Sequence, residues 1–359
     1  MNFDLTEEQN EIAELAARIL DDHIDIEVLR KTEETQDWFD RELWEKFVSS
    51  GLIGATIKED VGGAGLDILA LVCLLRAQGQ HVAPIPLLPT LVSAMTVDKF
   101  GTDDKRGSLL PEIVNGSKLL TFASQEFLND HFMEPVTSYE NGLITGTKIV
   151  VEYANHADSV LVTAIDGDEP VVCIVDLKDP NITMRATDST RGEPLWELSF
   201  EKTAADKIGG RESVYWLFQI LLVSLCAVQL GVTETALKMT ASYTSEREQF
   251  GRPLATFQAV TQRLADQSIT VGGIRLTTFS AAWRLSVDID ALEDILIAKW
   301  WASERATEIA HATQHCHGGM GVSKDYPLYR YTLWNKHITT SLGAGTQTLR
   351  SLGSFLASN

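Results

Sequence analysis

The residues that could do chemistry gather in two places. The run Glu246-Arg247-Glu248-Gln249-Phe250-Gly251-Arg252-Pro253-Leu254-Ala255-Thr256-Phe257-Gln258 sets an arginine, aromatic rings and a glutamine around a turn. Arginine presents a planar fork of donors that matches phosphate oxygens, and a neighbouring ring can stack on a base. His317-Gly318-Gly319-Met320-Gly321 is the second place. Glycines closing a helix let another molecule approach the backbone, and their exposed amides can hold a phosphate. Taken with Arg247 and Gln258, the glycine run reads as a pyrophosphate cradle. Taken alone, each stretch is also compatible with an ordinary helix corner and an ordinary helix stop.

Other chemistries are poorly supported. His311 and His315 share a helix face with Glu308 one turn earlier, and Cys316 follows. No second ligand cluster completes a closed zinc site, and Cys316 points off that face, so no metal is expected. There is no Gly-x-Ser-x-Gly elbow and no P-loop lysine motif, so serine-hydrolase and P-loop chemistry find no residues to carry them.

The elements that must position these residues follow from pattern. At 359 residues the chain has room for two or three domains. A net charge of -20 argues against a nucleic-acid partner, which needs a basic footprint. The four cysteines, Cys73, Cys173, Cys226 and Cys316, are widely spaced and form no Cys-x-x-Cys pair. They read as reduced thiols of a cytoplasmic protein. The start, Met1-Asn2-Phe3-Asp4-Leu5-Thr6, is neither basic nor apolar enough for a signal peptide. Residues 213–233 are long and apolar enough to span a bilayer. They carry Gln219, Ser224 and Gln229 and lack a basic flank, so a helix buried inside a bundle is expected, not a membrane span.

Residues 1–118 read as helical. Thr6-Glu7-Glu8-Gln9 is a capping box, and Ile12, Leu15, Ala16, Ile19 and Leu20 form an apolar stripe behind it. Further helices are predicted over 40–50, 68–79, 86–100 and 103–114, with Gly62-Gly63-Ala64-Gly65 as a turn. From 119 to 203 short Val-, Ile- and Thr-rich runs alternate with turn signals, predicting a small antiparallel sheet with strands over 119–123, 143–151, 159–164 and 171–175. Asn141-Gly142 marks a hairpin. From 204 to 359 the pattern predicts a four-helix antiparallel bundle over 213–243, 256–286, 291–316 and 326–356. The fold class is therefore mainly α with an inserted β-domain.

This order resembles the acyl-CoA dehydrogenases across nearly the whole chain. The markers are residues 43–52, the Gly62-Gly63-Ala64-Gly65-Leu66 loop, Leu109-Leu110-Pro111, Arg247-x-x-Phe250-Gly251-x-Pro253, Gln258 and His317-Gly318-Gly319-x-Gly321. The resemblance implies oxidation of an acyl-CoA thioester to the 2,3-enoyl-CoA, with a carboxylate removing the α-proton and FAD taking the β-hydride. Electron-transfer flavoprotein would then accept the electrons. It implies that Arg247, Phe250, Gln258, Gly318 and Gly319 contact the ADP part of an FAD held mainly by a neighbouring subunit. His315 stands where the family usually has a glutamine.

The departures from the family are as informative. The usual catalytic glutamate falls at Ala344 in Ser341-Leu342-Gly343-Ala344-Gly345-Thr346, and the alternative family position falls at Gln219. Neither residue is a general base at neutral pH. The flavin-lining segments are replaced by Ala123-Ser124-Gln125-Glu126-Phe127-Leu128-Asn129-Asp130 and Ile149-Val150-Val151-Glu152-Tyr153. The adenine half of a site is kept while the flavin and base half is eroded. That split resembles the base-less partner in two-subunit α2β2 acyl-CoA dehydrogenases of steroid side-chain breakdown, whose homologous partner carries the glutamate. The run Tyr326-Pro327-Leu328-Tyr329-Arg330-Tyr331-x-x-Trp334 carries that likeness too. Two alternatives stay open: a self-sufficient homomeric enzyme with an unusual base such as Glu212, and a scaffold that has lost FAD.

Overall fold

In the computed structural model, which describes residues 5–358, the predicted capping box heads α1 (Glu7–His23). The Gln9 backbone N–H donates to Thr6 Oγ1 at 3.2 Å, and the Thr6 N–H donates to Gln9 Oε1 at 2.9 Å. Two helix-start donors are satisfied reciprocally. A short helix not anticipated from sequence, α2 (Ile26–Glu34), buries Leu29. Helix α3 (Arg41–Ser49) is capped by Asp40, which accepts from the Leu43 N–H at 2.9 Å, and buries Leu43, Trp44 and Phe47. The helices α4 (Ile68–His81), α5 (Leu87–Phe100) and α6 (Asp103–Val114) follow the predicted spans to within about two residues. The glycine loop is a turn, as expected. A Cβ on Gly63 would stand 1.9 Å from the Ile57 carbonyl oxygen.

The β-domain is an eight-stranded sheet. Its strands are β1 (Leu120–Ala123), β2 (Ser138–Glu140), β3 (Leu143–Glu152), β4 (Ser159–Asp166), β5 (Glu169–Asp176), β6 (Ile182–Thr187), β7 (Leu195–Ala204) and β8 (Asp206–Gly209). The order is β6-β7-β3-β2-β4-β5-β8, with β1 pairing β4. Asn141 and Gly142, at φ 52 and 83, make the predicted two-residue turn from β2 to β3. The expectation of a purely antiparallel sheet is corrected at two places. β1 and β2 both run parallel to β4, because the chain leaves each by a connection long enough to re-enter in the same sense. Ile144, Val160, Val162, Val171, Cys173 and Phe200 fill the face that the sheet buries.

A second strand pair follows, β9 (Glu248–Gln249) and β10 (Arg252–Pro253), between α7 (Arg211–Glu246) and α8 (Gln258–Ser286). The remaining helices are α9 (Leu292–Trp300), α10 (Ala306–His317), α11 (Leu328–Thr340) and α12 (Gly345–Ser358). α9 and α10 are one helical run interrupted by a π-helical turn over Trp301–Arg305. The fourth predicted bundle helix, 326–356, is in fact two helices. Leu342 and Gly343 adopt φ 50 and 107, left-handed values at which a right-handed helix cannot continue. α7 has the length and hydropathy of a membrane span, yet 94% of its most apolar window is buried inside the protein. It is a core helix.

The chain forms two compact units. One holds the described residues up to Ile19, then Val28–Leu71 and Pro84–Leu221, and so contains the sheet. The other holds Leu20–Glu27, Val72–Ala83 and Leu222–Asn359. Within the second unit α4 and α7 cross through glycines. A Cβ on Gly79 would meet the Val228 carbonyl oxygen at 2.0 Å, and one on Gly231 would meet that of Arg76 at 2.0 Å. Beside this crossing Glu234 accepts from Arg76 at 2.7 Å and from Arg275 at 2.5 Å.

Candidate cofactor-binding site

α7 ends at Glu246, and the Arg247 N–H still donates to the Tyr243 carbonyl at 2.8 Å. The chain then turns through Phe250 and Gly251, at φ 56 and 76, between paired residues Gln249 and Arg252. Positive φ at both turn residues suits a tight hairpin, but an aromatic side chain is an unusual first occupant. Phe250 is 91% exposed. Arg252 lies 4.1 Å over the Phe257 ring, and Phe250 meets that ring edge-on at 6.1 Å. Gly251 and Pro253 do not directly join two helices as the sequence implied. The hairpin and a 3-10 turn over Leu254–Thr256 intervene before α8 opens at Gln258.

The glycine run lies at the end of α10 and is pinned from both sides. The Gln314 side-chain amide donates to the Gly321 carbonyl at 3.0 Å. His317 is buried; its ring stacks on Tyr243 at 4.3 Å and its Nε2 lies 3.1 Å from the Tyr326 hydroxyl. Burial pushes the His317 imidazole below its ordinary pKa, against a hydrogen bond to the Thr313 carbonyl. His317 is thus a wedge that joins the end of α7 to the end of α10. It leaves Gly318 and Gly319 exposed, with open space where a Cβ would stand at each.

The six residues read from sequence are all exposed: Arg247, Phe250, Gln258, His315, Gly318 and Gly319. Among the described residues, no hydrogen-bond or ion-pair partner engages the side chains of Arg247, Gln258 or His315. His315 shares an open groove of about 570 Å³ with His311, Ala259, Gln262 and Arg263, between α10 and the start of α8. Unpaired donors, an exposed ring and bare glycine backbone are the features that an ADP moiety requires, so the residues present fit that group. Among the described residues no group of three or more His, Cys, Asp or Glu side chains is gathered for a metal. Glu308 is paired with Arg305 at 2.6 Å.

The two positions read from sequence as those of the family's base, Ala344 and Gln219, are unlike each other. Ala344 is exposed, in the break between α11 and α12. That break is anchored by Lys299, whose Nζ donates to Ser303 at 2.9 Å and to the Ile338 carbonyl at 3.1 Å. Burial pushes the Lys299 ammonium down to about 8. Glu304 stands beside the break, 2.6 Å from where a Cβ on Gly345 would be. Gln219 is buried within α7. Glu212 is exposed in the first turn of that helix. Seven residues of helix rise separate it from Gln219, about 10 Å.

The segments 123–130 and 149–153, read from sequence as standing at the flavin lining, carry ion pairs that sequence reading missed. Glu126 accepts from Lys148 Nζ at 2.7 Å, with the lysine fully buried. Burial alone would raise the Glu126 pKa, but Lys148, Thr137 and the Val136 amide hold the carboxyl down to about 2. Glu152 is 3.1 Å from Arg191, which also binds Glu193. Burial pushes Glu193 up to about 7, against the pull of Arg191. The Trp38 ring lies on this turn, 2.9 Å from where a Cβ on Gly192 would be. One hydroxyl in the same segments, Ser124, is buried without a partner.

The comparisons with known proteins agree with this layout. Residues 6–117 match the acyl-CoA dehydrogenase N-terminal domain, and residues 209–352 match the acyl-CoA dehydrogenase C-terminal domain. The chain is 34% identical to the acyl-CoA dehydrogenase FadE27 of Mycobacterium tuberculosis, over 99% of each chain. Among solved structures it is similar to a chain of the Tcur3481-Tcur3483 steroid ACAD G363A variant, with 39% identity, a TM-score of 0.94 and 98% of each chain covered. It is similar as well to a chain of the ChsE4-ChsE5 complex from Mycobacterium tuberculosis, with 34% identity, a TM-score of 0.95 and 100% of each chain covered. The chain belongs to the acyl-CoA dehydrogenase family.

Proposed function

We propose that this chain is the base-less subunit of a two-chain, FAD-dependent acyl-CoA dehydrogenase. It supplies the ADP-side contacts of an FAD whose flavin lies in a homologous partner carrying the catalytic glutamate. The observation that carries this reading is the contrast between its two half-sites. Arg247, Phe250, Gln258, His315, Gly318 and Gly319 stand exposed, while Ala344 and Gln219 occupy the base positions. The segments toward the flavin are closed by Lys148–Glu126 and Glu152–Arg191–Glu193.

FAD, when bound, supplies the hydride acceptor. The residues of this chain bind and orient. Arg247 would hold the pyrophosphate and Phe250 the adenine, and Gly318 and Gly319 would offer backbone amides that no side chain shields. Two chains sharing one cofactor explain why one can lose its base without loss of the reaction. The similarity to chains of a steroid ACAD and of a two-chain complex supports an acyl-CoA with a bulky apolar acyl group, such as a steroid side chain. Electron-transfer flavoprotein is the proposed acceptor. The four free thiols support a reducing, cytoplasmic setting.

The test is a visible spectrum of the purified chain, alone and with a glutamate-bearing homologue encoded beside it. No flavin alone and one FAD per pair is the expected result. Arg247→Ala should weaken FAD retention by the pair by about 10- to 100-fold, the cost of one charged hydrogen-bonding group. A full complement of FAD and dehydrogenation by the isolated chain, lost in Glu212→Gln, would replace this reading with a self-sufficient enzyme. A pair without flavin, indifferent to Arg247→Ala, would leave a scaffold.

A further inference from the structure

The His317 ring is fixed at both nitrogens. The Thr313 carbonyl can only accept, so the nitrogen 2.8 Å from it, Nδ1, carries the proton. Burial favours the neutral ring, and a neutral imidazole has one donor. Nε2 therefore accepts, and the Tyr326 hydroxyl 3.1 Å away donates to it. The imidazole plane lies 21° from that of Tyr243, with ring centroids 4.3 Å apart. Tyr326 closes the third side, 5.1 Å from the His317 ring and 6.0 Å from that of Tyr243. A hydrocarbon side chain would fill this space without the cost of burying two polar nitrogens. What the imidazole adds is direction.

Each ring of this stack continues into backbone of the candidate cofactor site. The Tyr243 carbonyl accepts from the Arg247 N–H at 2.8 Å, and the Arg247 carbonyl accepts from the Leu254 N–H at 2.9 Å, which closes the hairpin. His317 leads directly into Gly318, whose N–H returns to the Gln314 and His315 carbonyls. The Tyr326 N–H donates to the Ser323 carbonyl, and the Ser323 N–H to the Met320 carbonyl, both at 3.2 Å. The third ring is thus tied to the far end of the glycine run. Arg247 and the glycines belong to two different helix ends. A diphosphate that bridges them binds tightly only if those ends are held in register beforehand, because ordering them on binding costs affinity. We propose that the Tyr243–His317–Tyr326 stack is a positioning device that holds the Arg247 turn and the Gly318-Gly319 amides in one register for the diphosphate of FAD. This rests on the reading above of those residues as the ADP-side contacts. The three rings act through the backbone and need not touch the cofactor.

Tyr326→Phe tests the device, since it removes one hydroxyl and keeps all three rings. Deuterium exchange of the isolated chain comes first, because it needs neither a partner nor a cofactor. Exchange should quicken by about threefold or more, the loss of one hydrogen bond, over both 247–254 and 318–323. Gln314→Ala cuts only the side-chain bond to the Gly321 carbonyl and should quicken 318–323 alone. In the pair with a glutamate-bearing homologue, Tyr326→Phe should release FAD about 3- to 10-fold faster. His317→Phe keeps a ring against Tyr243 but loses both hydrogen bonds, and should have the larger effect on exchange and on release. If 247–254 keeps its wild-type rate in Tyr326→Phe, the stack is only local packing at a helix end and the proposal is overturned. Joint quickening with FAD released at the wild-type rate overturns it as well, and leaves the two-chain reading standing. A wild-type pair that holds no flavin removes that reading and the proposal together.

Discussion

Phe250 occupies a turn position at φ 56 that asparagine or glycine would fill at lower cost. Its ring makes one edge contact with Phe257 and is otherwise open. Phe250→Asn should therefore stabilise the isolated chain slightly, by up to ~1 kcal/mol, while lowering FAD retention by the assembled pair. Urea titration of the chain and flavin content of the pair check the two halves separately. Ala344 raises the opposite question, whether a carboxylate placed at the position read as that of the base would act as one. Ala344→Glu would bring a second carboxylate next to Glu304, which already crowds Gly345. On the proposed two-chain reading, the isolated variant should still reduce no dye in the presence of an acyl-CoA. Dye reduction by Ala344→Glu alone would show that only the base had been lost. The residue types of the candidate site could be read from the sequence: Arg247, Phe250, Gln258, Gly318 and Gly319. Their freedom was not, since sequence does not say whether an arginine is already paired. Glu126 and Lys148 were invisible as a pair because Glu126 lies in the loop after β1 and Lys148 on β3, and they meet only in the folded domain.

At the scale of elements, the α4–α7 crossing depends on backbone approach. Gly231→Ala would drive a methyl into the Arg76 carbonyl and the Gln80 amide, at 2.0 and 2.6 Å. Two rigid helices cannot part without losing the packing around them, so the cost should reach ~3 kcal/mol or more, seen as a lower urea midpoint. The β-domain rests on the buried pair instead. With its folded pKa near 2, below the ordinary value, Glu126 contributes stability that is present above pH ~4.5. That contribution is lost as pH falls toward 2, by up to ~3 kcal/mol. Glu126→Gln should lose that acid limb and should cost ~3–5 kcal/mol near neutrality, because the buried Lys148, already pushed down to about 8 with Glu126 beside it, would have to stay charged without a partner or give up its proton. Element boundaries were legible where a local signal dictates them: the Thr6 box and the Asn141-Gly142 turn. The break at residues 341–344 was missed although it contains Gly343 and is followed by Gly345. Strands β6 and β8 escaped notice since an edge strand need not alternate cleanly.

At the scale of the whole molecule, α7 is the longest element, with 36 residues. It is apolar on nearly every side because it is surrounded by protein. Its amides should be among the last to exchange with deuterium, approaching the global unfolding limit, whereas β9 and β10, a pair of two-residue strands, should exchange early. This gradient has a use. Surface residues that wait for a cofactor and a second chain lie outside the cooperative core, so their protection reports assembly and not folding. When the chain is mixed with a glutamate-bearing homologue and FAD, protection should rise over residues 247–258 and 315–321. FAD added without the homologue should leave both segments unchanged. Protection that appears with FAD alone would mean that the isolated chain already holds the cofactor and that its ion-paired β-domain leaves room for a flavin. Protection that appears with the homologue but spares 247–258 would place the shared cofactor elsewhere and remove Arg247 from the site.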